Sequence, residues 1–197
     1  MHDSTTILLI LGLVSCGGSA PDRKTNGATA PGDVQSVQSR CEREEARACL
    51  ELGTMYMHGE GVSRDIAKAV APLQMACDAE LGFACLVLGQ LYSSARFERV
   101  DLERAAHFRE RACELKDAEG CFFLANQYFH GEGVPRDKTR AAALSERSCE
   151  LGEAGACFIL GVMYERGKGV PLDVERGRAL QRKACEAGVK EACEALR

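Results

Sequence analysis

From Cys49 to Tyr56 the apolar and small positions that recur in later units are Cys49, Leu52, Gly53 and Tyr56, spaced i, i+3, i+4 and i+7. That spacing lays them on one face of an α-helix. The same phrase returns as CLVLGQLY from Cys85, CFFLANQY from Cys121 and CFILGVMY from Cys157. This helix is called A below. After it comes a glycine turn, Gly59-Glu60-Gly61-Val62, which recurs as Gly131-Glu132-Gly133-Val134 and Gly167-Lys168-Gly169-Val170. Glycines there suit left-handed backbone at a helix C-terminus. An aspartate follows in each unit, at Asp65, Asp101, Asp137 and Asp173. Aspartate is a good N-cap, so a second helix, B, is predicted from it to the next cysteine. Helix B is alanine-rich, as in Ala141-Ala142-Ala143, and small residues allow close helix approach.

Two units depart from the pattern. Ala95-Arg96-Phe97-Glu98 replaces the glycine turn in the second, predicting a turn of different shape. In the first, Pro72 stands where the others carry Phe108, Leu144 and Leu180, and a mid-helix proline predicts a kink.

The period is strict. Cys41, Cys77, Cys113, Cys149 and Cys185 are each 36 residues apart, and so are Cys49, Cys85, Cys121, Cys157 and Cys193. A fixed period of this length marks a repeat array, whose units contact chiefly their neighbours. Gly152 and Gly188 supply stops after helix B in two units.

The first forty residues are different. Residues 7–14, ILLILGLV, are an apolar run too short to span a bilayer and long enough for a signal-peptide core. Leu13-Val14-Ser15-Cys16 resembles a bacterial lipobox, which implies lipidation of Cys16. The leader Met1-His2-Asp3-Ser4 departs from that pattern by lacking Lys or Arg, and a plain secretion signal is the alternative. The reading assigns 1–16 to a lipoprotein-type signal peptide, 17–40 to a flexible tether with a short capping helix, and 41–197 to the repeats. Asp33 is expected to cap that helix, which runs to Arg40 with Val34, Val37 and Cys41 on one face.

Composition narrows the function. The net charge of −4 comes from 25 basic and 29 acidic residues mixed throughout, with no basic stripe for nucleic acid. Trp is absent and only four Tyr are present, so no stacking platform is expected.

The L-G-x-x-Y, G-x-G-V, D and alanine-rich sequence of signals resembles the SEL-like repeat family, related to tetratricopeptide repeats. With a C-x7-C pair in each unit, it resembles the cysteine-rich secreted members, such as the Helicobacter cysteine-rich proteins. The resemblance covers Cys41 to Arg197, four full units and a truncated fifth. It implies an all-α, right-handed α/α solenoid of about four and a half helix-turn-helix repeats. Some members carry a beta-lactamase label, so it also implies beta-lactam binding or hydrolysis as a second function.

The cysteines are expected to pair within each C-x7-C: Cys41–Cys49, Cys77–Cys85, Cys113–Cys121, Cys149–Cys157 and Cys185–Cys193. On one helix, eight residues would separate them by about 12 Å, whereas a disulfide needs Cα atoms within about 7 Å. The chain must therefore reverse between them, clamping helix B of one unit to helix A of the next.

Catalytic signals are not found. No serine has Lys three residues on, and neither G-x-S-x-G nor a P-loop occurs. His58 and His130 hold equivalent positions two repeats apart, too far for one metal, and His107 lies in helix B. The sequence predicts no catalytic residue, metal or cofactor.

What remains is a surface. Repeat arrays curve, and their concave face is the usual binding site. Opposite the core face, helix A presents residues that vary between units. Thr54, Phe83, Val87, Gln90, Phe123, Asn126, Ile159 and Val162 form the predicted ligand groove, with Gln90 and Asn126 placed to hold an extended peptide backbone. Alternatively, some of its apolar members pack against adjacent helices. The resulting expectation is an exported, lipid-anchored monomer of the bacterial cell envelope that binds a protein or peptide, without nucleic acid. A passive scaffold for envelope assembly is a further alternative.

Overall fold

The computed structural model describes residues 33–95 and 100–197. Cys16, the signal peptide, most of the tether and Arg96-Phe97-Glu98 of the second turn lie outside the described residues. Among the described residues ten helices follow in chain order: α1 (Val34–Glu42), α2 (Ala46–His58), α3 (Ile66–Asp78), α4 (Gly82–Ser93), α5 (Leu102–Glu114), α6 (Ala118–His130), α7 (Lys138–Glu150), α8 (Ala154–Arg166), α9 (Val174–Glu186) and α10 (Lys190–Ala195). No strand occurs among the described residues. The even-numbered helices are the A helices and α3, α5, α7 and α9 the B helices. Each packs against its sequence neighbours, giving a two-layered α/α solenoid.

The A–B hairpin is built from three local devices. Gly59, Gly131 and Gly167 adopt left-handed backbone and end α2, α6 and α8. Each B-helix aspartate accepts a bond from the third amide onward: Asp65 from Lys68 at 3.0 Å, and Asp101, Asp137 and Asp173 from Arg104, Arg140 and Arg176 at 2.9 Å. The backbone N–H of each aspartate donates to the carbonyl of the helix-A tyrosine: Asp65 to Tyr56, Asp101 to Tyr92, Asp137 to Tyr128 and Asp173 to Tyr164. Tyr and Asp thus keep a fixed spacing because two backbones meet there. The second turn lacks the glycine, and α4 ends instead at Ser94 with extended φ and ψ of −91° and 134°.

The second glycine of the turn joins successive units. A Cβ on Gly133 would strike the backbone of Leu102, and one on Gly169 the backbone of Lys138. Leu102 and Lys138 open helix B of the preceding unit, so these glycines let the turn rest on it.

At the B–A reversal all five cysteine pairs are bonded, with Cα–Cα separations of 4.5, 4.8, 4.5, 4.7 and 4.7 Å in chain order. The reversal needs one left-handed residue just after each first cysteine. Gly152 and Gly188 fill it at φ of 103° and 95°, while Glu44, Glu80 and Lys116 fill it at 63°, 62° and 64°. The cysteines of the first four pairs sit in the core with the alanines of both layers, Ala48, Ala84, Ala112 and Ala156 among them, while Cys185 and Cys193 are half-buried.

Three expectations are refined. Asp33 does cap α1, which ends at Glu42 rather than Arg40. Helix A begins three residues before its cysteine, because each reversal ends in an extended cap residue such as Glu45 or Asp117. Helix α3 continues through Pro72 to Asp78, and the proline is itself buried.

Candidate functional site

The A helices stand side by side, so equivalent positions form rows. One row is Thr54, Gln90, Asn126 and Val162. A second, one turn on, is His58, Ser94, His130 and Arg166. Open pockets lie along these rows between α2 and α4 and between α6 and α8.

Between α6 and α8 lies a pocket of about 220 Å³. Phe129, Ile159, Val162 and Met163 give it apolar walls, and Asn126, His130, Arg166 and Lys168 supply its polar groups. Three predicted groove residues, Asn126, Ile159 and Val162, are therefore brought together. Between α2 and α4 lies a larger opening of about 880 Å³, where predicted Gln90 meets Met57, His58, Arg64, Ile66, Leu91 and Ser94. Both openings pair apolar surface with cations.

The other predicted groove residues are placed differently. Val87 is only 7% exposed and belongs to the core cluster of α1 to α5, so it is corrected from groove to core. Phe123 is half-buried against that cluster, edge-on to Phe122 with ring centroids 5.5 Å apart. Thr54 is half-buried and donates its hydroxyl to the Glu51 carbonyl at 2.8 Å. Phe83 is 52% exposed near the start of α4 and lines neither pocket.

A buried position escaped the sequence reading. Leu73, Arg109, Ser145 and Gln181 are equivalent residues of the B helices, and all four are buried. They face the small residue of helix A: a Cβ on Gly53 would meet Leu73 Cγ, one on Gly89 Arg109 Cγ, and one on Gly161 Gln181 Cγ. The two long polar members reach equivalent residues of helix A, Ser93 and Glu165. Arg109 Nη2 donates to Ser93 Oγ at 2.7 Å, and Gln181 Nε2 to Glu165 Oε2 at 2.8 Å. The signal in the sequence was a single column that changes chemistry while its neighbours stay alanine and cysteine.

Arg109 is the unusual member. It is 8% exposed, its Nε has no hydrogen-bond partner, and no described carboxylate forms an ion pair with it. Its guanidinium lies 5.3 Å from the Phe123 ring centroid. Burial holds it below the usual arginine value, only partly offset by the charge of Glu132.

Among the described residues no group of three metal-ligating side chains converges, and no helix is long and apolar enough to cross a membrane. The five disulfides form and persist in an oxidising compartment.

The Sel1 repeat description matches residues 46–81, 82–117, 118–153 and 154–189. No curated protein matches the chain. Among solved structures, it is similar to a protective antigen of uropathogenic Escherichia coli displaying an SLR fold, at 26% identity and a TM-score of 0.78, over 83% of this chain and 35% of that one. It is also similar to a Sel1 repeat protein from Oxalobacter formigenes, at 26% identity and 0.75, over 83% and 48%. The chain thus spans less than half of either protein. With Helicobacter pylori cysteine rich protein B it shares 30% identity at 0.55, over 68% of this chain and 96% of that one. The four consecutive repeat matches, which tile most of the described solenoid, show that the chain belongs to the Sel1 repeat family.

Proposed function

We propose that this protein holds an extended segment of a protein partner across the row of A helices, with no chemical step. The carrying observation is the pocket between α6 and α8, where an apolar wall lies beside the Asn126 amide. An amide both donates and accepts, as a peptide backbone does, and the apolar wall takes an alternate side chain. Two such openings on one layer fit a single chain passing over both. Paired helices with covalent clamps hold the rows rigid, which lowers the ordering cost of binding.

The proposal places the protein outside the cytoplasm, in the bacterial cell envelope, tethered through lipid on Cys16. The five disulfides and the residues 13–16 pattern support that reading. Mass spectrometry of the mature N-terminus tests it. A diacylglyceryl mass on Cys16 is expected, and an unmodified Met1 would sink it.

Binding is tested by a photo-crosslinking residue at Asn126, compared with one at Ala143 on the exposed side of α7. Adducts are expected at Asn126 only, and equal labelling at both would remove the groove. A beta-lactam hydrolase would instead turn over nitrocefin with its disulfides intact. A passive scaffold would give no groove-dependent adduct.

A further inference from the structure

We infer that Arg109 is an anion subsite of this groove, and that the segment bound there carries an Asp or Glu side chain opposite it. The inference rests on the groove reading above and names the chemistry of its occupant.

The guanidinium reaches the groove layer from below. Its contacts are Ser93 of α4 and Phe123 of α6. Ser93 is the repeat equivalent of Met57 and Phe129, which line the two pockets, and Phe123 is the equivalent of Ile159, which lines one. Arg109 therefore sits between α4 and α6, midway between the α2–α4 and α6–α8 openings. A segment spanning both must cross it in mid-chain. That geometry selects an internal side-chain carboxylate over a chain terminus.

A buried guanidinium normally has a carboxylate partner, because an unpaired buried charge is costly. Here the described chain supplies one hydroxyl, one ring and the charge of Glu132, which makes no ion pair with it. Core packing does not require the charge, since the equivalent residue in the first unit is Leu73, fully buried in the same place. The flanking openings carry further cations, Arg64 in one and Arg166 and Lys168 in the other. Along a chain whose net charge is −4, this layer is locally complementary to an acidic segment.

The test selects a random heptapeptide display library on the immobilised, disulfide-intact protein and on its Arg109→Leu variant. Leucine is the residue that the first unit carries here, and equal melting of the two proteins verifies the fold. On the natural protein, selected peptides should carry Asp or Glu at one fixed position. Replacing that residue by Asn or Gln should weaken binding about tenfold, as loss of a charge-assisted bond does. On the variant the acidic bias should vanish while apolar preferences persist. If peptides are selected without that bias, or the bias survives Arg109→Leu, the subsite is wrong and the groove stands. If no peptide is selected on either protein, the groove reading falls and the subsite with it.

Discussion

The guanidinium of Arg140 lies 4.4 Å over the Tyr128 ring, and its Nη2 donates to Glu110 Oε1 at 2.5 Å. Tyr128 belongs to its own unit and Glu110 to the preceding one, so one side chain ties two repeats together. Arg176 repeats the arrangement with Tyr164 at 4.4 Å and Glu146 at 2.6 Å. The first seam lacks it. Arg104 lies 5.5 Å from Tyr92, and the acid position is Gln74, which turns to Asp78 instead. Arg140→Ala should cost about 1 kcal/mol, combining an exposed ion pair with a cation–π contact. A double-mutant cycle with Glu110→Gln in chemical denaturation checks it, and strict additivity would refute the coupling.

Each clamp closes a short loop. Replacing Cys113 and Cys121 by alanine should cost about 2.5 kcal/mol in the chain-entropy model. Because units couple chiefly to neighbours, amide exchange should rise first in α5 and α6. A uniform rise across all helices would contradict that independence.

Lys116 holds left-handed backbone at φ 64° where Gly152 holds it at 103°. Lys116→Gly should therefore stabilise the protein by about 0.5–1 kcal/mol, the strain relieved less the glycine entropy. The reciprocal Gly152→Lys should destabilise it. A lower denaturation midpoint for Lys116→Gly would refute the account.

Gly169 needs both its left-handed φ of 79° and its missing Cβ, since a side chain would strike the Lys138 backbone. Gly169→Ala should cost about 2 kcal/mol or more. Gly152 has open space around it, so Gly152→Ala should be milder. Equal costs at the two sites would remove the contact argument.

The helix cap at Asp65 is a pH-sensitive element. Its carboxylate accepts from the Lys68 amide, which holds it below the usual carboxylate range. A depressed folded value means the stabilisation is complete above the unfolded value, about 3.9, and is lost as pH falls through the folded one. Asp65→Asn should flatten the acid limb of a stability-versus-pH curve, and an unchanged limb would count against the cap.

The repeat, its caps and its cysteine pairing were legible because each is a local pattern written four or five times. Asp65 and its three equivalents behave alike, and so do Gly59 and Gly131. What was not legible depends on which helices flank a residue. Val87 and Ile159 hold the same repeat position, yet one is core and the other a pocket wall. Periodicity places both on one face and cannot say how much of it neighbours cover. Arg109 was missed for a related reason, because a charged residue on a surface-seeking helix pattern reads as solvated until the glycine opposite it is seen. Left-handed Glu44, Glu80 and Lys116 carry no composition signal at all.

The bridges all lie at one kind of turn, and this dictates how the chain would yield to tension along its length. Each ladder rung hides the residues between its own cysteines from any pull. Only the stretch from one bridge to the next, such as Cys49 to Cys77, can be drawn straight. At about 3.6 Å per residue that is roughly 100 Å per step. A stretched molecule would lengthen in near-identical increments and remain, at full extension, a chain of closed rings.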